Sequence, residues 1–261
     1  MKYFMVADPH GFCSILKSTL RENGFFDDKK PHKLIILGDL MDRGSEAVAM
    51  QEFVCDCMSH RQLILIRGNH EDLMRDMING FSKYRMYILH GWGCHHVYNR
   101  TFDTALQLTG FSKYEALQNA TDFISTLKET PFVKKLIPKS RNYFATENYV
   151  FTHGWLPLFS DSKQSVADWQ NAGRKEWMSA RWKNGMEAAE KLHLTIPEKT
   201  IVCGHWHTSY GHYTYEKKGS EFGDDADFST YYGNGVIGLD ACTSHSGKMN
   251  CLVIEDKPIG V

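Results

Sequence analysis

Short apolar segments that end beside a carboxylate, amide or imidazole side chain constrain this fold more than any other feature of the sequence. Five segments share the pattern: residues 3–6, 33–37, 63–66, 149–152 and 200–203. Each is apolar enough to form a buried strand, and glycine or proline interrupts it soon afterwards. The side chains that follow these segments are Asp8, His10, Asp39, Asn69, His153, His205 and His207. Because the carboxyl ends of parallel strands meet at one edge of a sheet, we expect these side chains to lie together.

Helices are predicted between the first strands, which makes the chain an α/β protein. Residues 14–23 have apolar side chains at helical spacing, and Gly24 is placed to end that helix. A second helix is predicted after Ser45, which can cap it. The core-facing residues expected on this second helix are Val48, Phe53, Val54 and Cys57.

The rest of the chain adds a helical insertion and the remaining elements of one domain. Aromatic residues at helical spacing predict helices from residue 77 to about residue 143, in a segment expected to cover the site. Residues 174–192 predict another helix, and residues 236–239 and 251–254 predict two strands. No repeat, low-complexity tract or linker interrupts the sequence, so we expect residues 1–261 to form a single domain.

The charge balance and the apolar stretches argue against two classes of partner. The chain carries 30 basic and 31 acidic side chains, so its net charge of −1 gives no general attraction to nucleic acid or to anionic lipid. The apolar stretches at residues 34–37 and 63–66 have four residues each, whereas a membrane span needs about 20. The first residues lack the features of a signal peptide, and the seven cysteines contain no C-x-x-C pair, so we expect a cytoplasmic protein with reduced thiols.

The seven side chains at the strand ends supply oxygen and imidazole nitrogen atoms, which can together bind two metal ions. This mixture of donors suits Mn²⁺, Fe or Zn²⁺ better than Ca²⁺ or Mg²⁺, which prefer oxygen. Two metals about 3.5–4 Å apart polarise a phosphoryl group and generate hydroxide near neutral pH. The sequence therefore predicts two divalent cations, with Mn²⁺ foremost, and Asp39 is placed to bridge them.

Five motifs in a fixed order carry a resemblance to a known family. They are D-x-H-G at residues 8–11, G-D-x-x-D-R-G at 38–44, G-N-H-E at 68–71, H-G at 153–154 and G-H-x-H at 204–207. Together they resemble the calcineurin-like metallophosphoesterase superfamily, and the Asp-Arg-Gly and Asn-His-Glu forms resemble its phosphoprotein phosphatase (PPP) branch. The similarity is to bacterial and phage-type serine/threonine protein phosphatases and their diadenosine tetraphosphatase relatives. The resemblance implies a four-layer α/β/β/α sandwich.

The resemblance also implies two metal sites that share one residue. The first site would be formed by Asp8, His10, Asp39 and His207, and the second by Asp39, Asn69, His153 and His205. Asn69 is also expected to contact the substrate. A hydroxide that bridges the two metals would attack phosphorus directly, so no phosphoenzyme is expected.

Three further roles follow from the same resemblance. Arg43 would bind the phosphate oxygens, because a fixed guanidinium suits the charge that develops there. His70 would protonate the leaving alkoxide, and Asp42 would orient His70. A second phosphate-binding arginine is expected at Arg181, with Arg174 as the alternative.

Three departures from the PPP pattern leave the substrate class open. Trp155 replaces the glycine that often follows His-Gly, which places a bulky ring near the mouth, and Trp206 is a second candidate to line the groove. His207 gives a G-H-x-H ending that is typical of other branches, and the Ser-Ala-Pro-Asn-Tyr-Cys signature of eukaryotic phosphatases is absent. We expect phosphoserine or phosphothreonine in proteins as substrates, with symmetrical hydrolysis of diadenosine tetraphosphate as the alternative. A non-catalytic binding protein is a remote alternative. Such a protein would be expected to have lost its acid and phosphate-binding residues, whereas His70, Asp42 and Arg43 are all present here.

Four other residues are open to a functional or a structural interpretation. His90, His95 and His96 are interpreted as cap or surface residues, because no carboxylate at ligand spacing accompanies them. Asp240 follows a predicted strand, where it either orients a ligand histidine or lies at a solvated strand end.

Overall fold

The computed structural model describes residues 1–158 and 168–259, and the strands in these residues form two sheets. The strands are β1 (Lys2–Val6), β2 (His32–Ile36), β3 (Leu63–Leu65), β4 (Phe144–Ala145), β5 (Tyr149–Phe151), β6 (Thr200–Cys203), β7 (Tyr231–Gly233), β8 (Val236–Gly238) and β9 (Leu252–Glu255). The first sheet has the order β3-β2-β1-β9 and the second the order β4-β5-β6-β8-β7. Parallel strands form the centre of each sheet, and β9, β4 and β7 are antiparallel edge strands.

Helices follow the central strands of both sheets. They are α1 (Cys13–Glu22), α2 (Ala47–Ser59), α3 (Asn69–Leu89), α4 (His95–Tyr98), α5 (Thr101–Thr109), α6 (Lys113–Gln118), α7 (Ala120–Glu129), α8 (Ile137–Lys139), α9 (Arg174–Ala180), α10 (Gly185–Glu190), α11 (Thr208–Tyr215) and α12 (Thr243–Ser246). A π-helical turn precedes α8 and a 3₁₀ turn precedes α9. In the described residues, β1, β2, β3, β6 and β8 thus lead into α1, α2, α3, α11 and α12, and the predicted ligands follow the carboxyl ends of parallel strands.

Alternating side chains of β1 divide the apolar interior of the first sheet between its two faces. Phe4 and Val6 belong to a core shared with α1, α2 and the helices between β3 and β4. Tyr3 and Met5 belong to a second core that lies between the two sheets. The division follows from strand geometry, since successive side chains point to opposite sides. A strand buried on both faces has the nearly continuous apolar sequence seen in β1.

Two more contacts complete the layers. The ring centroids of Tyr3 and Phe151 lie 6.4 Å apart across the space between the sheets. On the outer face of the second sheet, Trp177 of α9 and Met186 of α10 pack with Ile201 of β6 in a third core. Helices thus cover both outer faces of two stacked sheets, which confirms the predicted α/β/β/α sandwich.

The predicted core face of α2 is wrong at Val48, which is 43% exposed. The helix begins at Ala47 rather than directly after Ser45, and its buried face includes Ala47, Met50, Val54 and Cys57. These positions are three or four residues apart, so Val48 lies about 100° around the axis from the start of that face. Glu46 is the N-cap residue of the helix, without a side-chain capping bond.

Residues 174–192 form two helices, α9 and α10, rather than the single helix expected from their spacing. The break brings the chain against the loop that follows β5, where the Trp155 N–H donates to the Ala180 carbonyl at 3.0 Å. A Cβ added to Gly154 would lie 2.6 Å from that same carbonyl oxygen, so only glycine permits the approach. The interruption therefore packs this segment against the chain beside His153.

The helical segment between β3 and β4 begins at Asn69, because α3 is continuous to Leu89, and not near residue 77. His96 within it was expected to be a cap or surface residue, and it is buried instead. Its Nε2 lies 3.1 Å from Asp76 Oδ2, and the Tyr84 hydroxyl donates to the same oxygen at 2.6 Å. Asp76 is twenty residues away on α3, which explains why ligand spacing in the sequence did not reveal this partner.

Among the helices of the described residues, none combines the length and the apolar character that a membrane crossing requires.

Candidate active site

Asp39, which follows β2, belongs to both of two groups of possible metal ligands. The first group contains His10, Asp39 and His70, and the second contains Asp39, His153 and His205. Within each group the ligand atoms lie within 4.8 Å of one another. His10 Nε2 is 3.8 Å from Asp39 Oδ2, and His153 Nε2 is 3.4 Å from Asp39 Oδ1. The two oxygens of one carboxylate thus face different histidines, which is the arrangement that a bridging ligand requires.

Backbone carbonyls orient the imidazoles of His10 and His153. His10 Nδ1 lies 3.0 Å from the Met41 carbonyl oxygen, and His153 Nδ1 lies 2.6 Å from that of Leu37. A carbonyl can only accept, so Nδ1 donates and Nε2 presents a lone pair. His153 Nε2 also lies 2.8 Å from Asn69 Oδ1. Lone pairs that converge in this way fit a cation, and the carbonyls serve as the outer partners that metal-bound histidines use.

Asp8 provides an independent indication that the site fits a metal. Its Oδ2 accepts the His205 backbone N–H at 2.9 Å, but its buried Oδ1 has no hydrogen-bond partner in the part of the chain that the structure describes. Burial, together with the charges of Asp240 and Asp39, raises the pKa of Asp8 well above its usual value. A buried oxygen without a partner is costly unless a cation or a proton binds it.

The histidines of the site are poised as neutral ligands. Burial lowers the pKa of His10 and of His153, and it lowers the pKa of His205 to about 3. Burial alone would raise the pKa of Asp39, but electrostatic interaction of its ionised form with His153 and the other site histidines lowers it. An ionised carboxylate and neutral imidazoles are the forms that bind metal ions.

His70 is held by Asp42 in the geometry of a general acid. Its Nδ1 lies 2.7 Å from Asp42 Oδ2, and its Nε2 lies 3.7 Å from Asp39 Oδ2 at the centre of the site. Burial would lower the pKa of His70, but the charge of Asp39 and the hydrogen bond to Asp42 raise it. A buried imidazole that keeps its proton and directs one nitrogen at the centre can donate that proton to a leaving group.

Backbone strain is concentrated in the same loops. A positive φ in the left-handed region is uncommon outside glycine, and it is found at Asp8, His10, Asp39, Asp42, Arg43 and His205. A Cβ added to Gly38 would lie 2.6 Å from both the Gly68 nitrogen and His153 Nδ1, so the loops approach each other closely. Strain of this kind persists only where the surroundings fix it, and it often marks functional sites.

The sequence profile of the calcineurin-like phosphoesterases matches residues 1–209. The chain belongs to the calcineurin-like phosphoesterase family. Its sequence is similar to the serine/threonine-protein phosphatase with EF-hands 1 of Mus musculus, with 35% identity over 88 residues, and of Homo sapiens, with 33%. These matches cover 32% of this chain and 13% of either relative. They agree with the PPP-type motifs.

Solved structures share the fold of this phosphoesterase. A protein provisionally described as a diadenosine tetraphosphatase is 14% identical, and the similarity covers 98% of this chain and 93% of that chain with a TM-score of 0.50. A cold-active protein-tyrosine phosphatase of a Shewanella species is 17% identical, with coverage of 97% and 75% and a TM-score of 0.51. At these identities the comparison concerns the fold alone.

Glu71 is a residue of the phosphoesterase site to which the motif gave no role. It is fully buried, its Oε2 accepts the backbone N–H groups of Gly68 and Asp39 at 2.6 and 3.2 Å, and its Oε1 accepts that of Leu40 at 2.9 Å. Burial and the charge of Asp39 raise its pKa to about 7. Glu71 therefore ties the loop after β2 to the start of α3. The sequence signal was its place three residues after the helix N-cap, as in a capping box.

The predicted phosphate-binding arginines differ in their surroundings. Arg43 lines a cavity of about 390 Å³ together with Phe12 and Arg100. The Arg181 guanidinium is buried and donates to Asp72 and Asn142, each at 2.5 Å. Arg174, the alternative, is exposed at the start of α9. The roles of all three arginines stay predictions, and Arg181 would need a nitrogen that these partners do not use.

His207 and Asp240 also keep open roles. His207 Nε2 lies 2.8 Å from Glu221 Oε1, and His207 belongs to neither ligand group around Asp39. To join the first metal site it would have to exchange this bond or use Nδ1. Asp240 is buried rather than solvated, and its Oδ1 accepts the Cys242 N–H at 2.7 Å. Burial raises the pKa of Asp240 to about 6.

The tryptophans near the site are arranged differently from the expectation. Trp155 was expected near the mouth of the groove, but it is 1% exposed and belongs to the third core. The N–H of Trp155 donates to the carbonyl of Ala180, the last residue of α9, so the backbone at this position is bonded to the helix that packs over the third core. Trp206 is partly buried and its ring stacks on His207. Trp182, which the sequence did not single out, is 48% exposed and lies edge-on to the ligand candidate His205.

Proposed function

We propose that this phosphoesterase hydrolyses phosphomonoesters with the help of two divalent cations, and that its substrates are phosphoserine and phosphothreonine in proteins. The observation that carries the proposal is the His70–Asp42 pair, whose Nε2 faces the carboxylate shared by both ligand groups. A metal site alone could serve binding, whereas a metal site with an oriented acid is suited to cleaving an ester.

Different residues of the site are proposed to bind the cations, to bind the phosphate and to protonate the leaving group. The cations would be held by Asp8, His10, Asp39, Asn69, His153, His205 and His207, and when bound they would polarise the phosphoryl group and lower the pKa of the attacking water. Arg43 is proposed to bind the phosphate oxygens, with Arg181 as a second contact. His70 would donate its Nε2 proton to the leaving oxygen while Asp42 holds Nδ1.

Two features favour protein substrates and one favours a nucleotide. The Asp-Arg-Gly and Asn-His-Glu motifs are of the PPP type, and the matched curated relatives are serine/threonine-protein phosphatases. The exposed ring of Trp182 beside His205 instead offers a flat surface on which a nucleobase could stack, as expected for diadenosine tetraphosphate.

Mn²⁺ is proposed as the metal, because the candidate ligands supply both oxygen and nitrogen donor atoms. The cytoplasm is proposed as the location of the protein.

The metal requirement is tested by elemental analysis of the purified protein and by turnover of p-nitrophenyl phosphate. We expect about two metals per chain. Chelation should abolish turnover, and added Mn²⁺ should restore it, because the acid pair alone cannot generate the nucleophile. Absence of bound metal together with absence of turnover under every divalent ion would support the binding-protein alternative.

The substrate class is tested by comparing a phosphoserine peptide with diadenosine tetraphosphate, each with the wild type and with Trp182→Ala. We expect the peptide to have the higher kcat/KM and the variant to change it by less than about threefold, because the proposed peptide contacts do not need the ring. A preference for the dinucleotide, with a KM that rises in Trp182→Ala, would show that the nucleotide proposal is correct. Turnover of p-nitrophenyl phosphate is the control that the variant keeps an intact centre.

A further inference from the structure

Helix α5 makes contacts to the loop that carries Asp42 and Arg43. The contacts come from the N-cap residue Arg100 and from Thr101, Thr104 and Gln107 of the helix. They reach residues 42, 43 and 44 of the loop and residue 47 at the start of α2, at 2.7–3.1 Å. Asp42 and Arg43 have φ values of 78° and 61°, which place both in the left-handed region. Such a backbone persists only where its surroundings fix it, and α5 supplies that support.

Thr101 at the start of α5 reaches the carboxylate that holds the acid. Its hydroxyl donates to Asp42 Oδ2 at 2.7 Å, and His70 Nδ1 lies 2.7 Å from the same oxygen. Thr101 is fully buried, and Asp42 and His70 are buried as well. One carboxylate oxygen thus accepts two donors from two different helices, α3 and α5. Thr104 contacts the backbone of the same residue, because its hydroxyl oxygen accepts the Asp42 N–H at 3.1 Å.

We propose that Thr101 is a positioning residue for the His70–Asp42 pair, acting through Asp42 rather than on the substrate. This inference rests on the proposed function, in which His70 is the acid. Two donors on Oδ2 fix the plane of the carboxylate, and the carboxylate in turn fixes the His70 ring with Nε2 toward the centre. Without the hydroxyl the carboxylate can rotate, and the acid loses its alignment with the leaving oxygen. The β-branched side chain has few rotamers and holds its hydroxyl in place.

Three variants separate the hydroxyl from the packing of the helix. Thr101→Val keeps the shape of the side chain and removes the donor, whereas Thr101→Ser keeps the donor and removes a methyl group. Thr109→Val is the matched control, because Thr109 lies on the same helix and its hydroxyl donates to the Ala105 carbonyl at 2.7 Å. Metal content and thermal unfolding of all three variants show whether the site and the fold are intact.

Two phosphate esters that differ in leaving group give the kinetic measurement. In Thr101→Val we expect kcat for phenyl phosphate to fall about tenfold with an unchanged KM, as the loss of one buried hydrogen bond implies. The kcat for p-nitrophenyl phosphate should fall by less than about twofold, because its leaving group needs little protonation. Thr101→Ser and Thr109→Val should stay close to the wild type. Equal kcat losses on both esters, or no loss, would overturn the proposal.

A second measurement does not depend on turnover. The proton on His70 Nδ1 should give a downfield resonance in the proton NMR spectrum of the zinc-loaded protein, identified by its loss in His70→Asn. We expect this resonance to shift in Thr101→Val and to return in Thr101→Ser. If the wild type proves inactive, the proposed function fails while the resonance still tests the contact. A resonance unchanged in Thr101→Val would overturn the role of Thr101.

Discussion

Asp39→Asn is expected to lose both metal ions and nearly all turnover. Asp39 is the one residue present in both ligand groups, and each of its oxygens faces a different histidine. An amide offers one neutral oxygen in place of the carboxylate that is proposed to bridge the cations, so both groups would lose their shared charge. Loss of metal catalysis worth several kcal/mol corresponds to a fall of about a thousandfold or more in kcat/KM. Elemental analysis and p-nitrophenyl phosphate turnover measure the two effects on one sample.

The matched control for this variant is Asp256→Asn, a second buried carboxylate. Asp256 accepts the backbone and side-chain N–H groups of Asn148 at 2.9 and 2.8 Å, outside both ligand groups. We expect Asp256→Asn to lower the melting temperature while it keeps two metals and full turnover. Asp39→Asn should keep a melting temperature close to that of the metal-free wild type. The amide has the same shape as the carboxylate, and the exchange leaves no buried charge without a partner at this position. Full turnover with two metals in Asp39→Asn would refute the bridging role.

The sequence was informative wherever a local pattern determines the structure. Strands β1 to β3 are buried on both faces, so their apolar sequences are continuous, and the glycines after them permit the close approach of the loops. The position of Asp39, His153 and His205 at carboxyl strand ends was enough to predict that they meet. The alternation of strand and helix predicted an α/β protein, the family resemblance implied the four-layer sandwich, and both are confirmed.

Apart from helix boundaries, such as the start of α2 at Ala47, the errors concern contacts between residues that are far apart in sequence. Trp155 follows His-Gly as a groove-lining residue would, but the break after α9 buries it, and no spacing in the sequence announces that break. His96 contacts Asp76, which is 20 residues away in the sequence, and Asp42 accepts a hydrogen bond from Thr101, which is 59 residues away. Glu71 is different, because the sequence indicates its capping position at the start of α3. The sequence does not indicate its hydrogen bonds to the backbone N–H groups of Asp39 and Leu40. Long-range partners of buried polar groups are what the sequence leaves undetermined.

His70→Asn is expected to keep both metals and to slow substrates with poor leaving groups most. The variant removes the proton that Nε2 would donate, whereas Asp39 and the other residues proposed to hold the cations, which do not include His70, are unchanged. General acid catalysis is worth about 10²- to 10⁴-fold, so kcat for phenyl phosphate should fall within that range. The kcat for p-nitrophenyl phosphate should fall far less, because nitrophenolate leaves without a proton.

Asp42→Asn is the companion variant that separates the acid from its orientation. The amide oxygen can still accept the His70 Nδ1–H, but the charge that helps to raise the pKa of His70 is gone. We therefore expect a loss with phenyl phosphate that is smaller than that of His70→Asn, and the same ranking of the two esters. If His70→Asn slowed both esters equally while metal content stayed at that of the wild type, His70 would act on the phosphoryl group instead of the leaving oxygen.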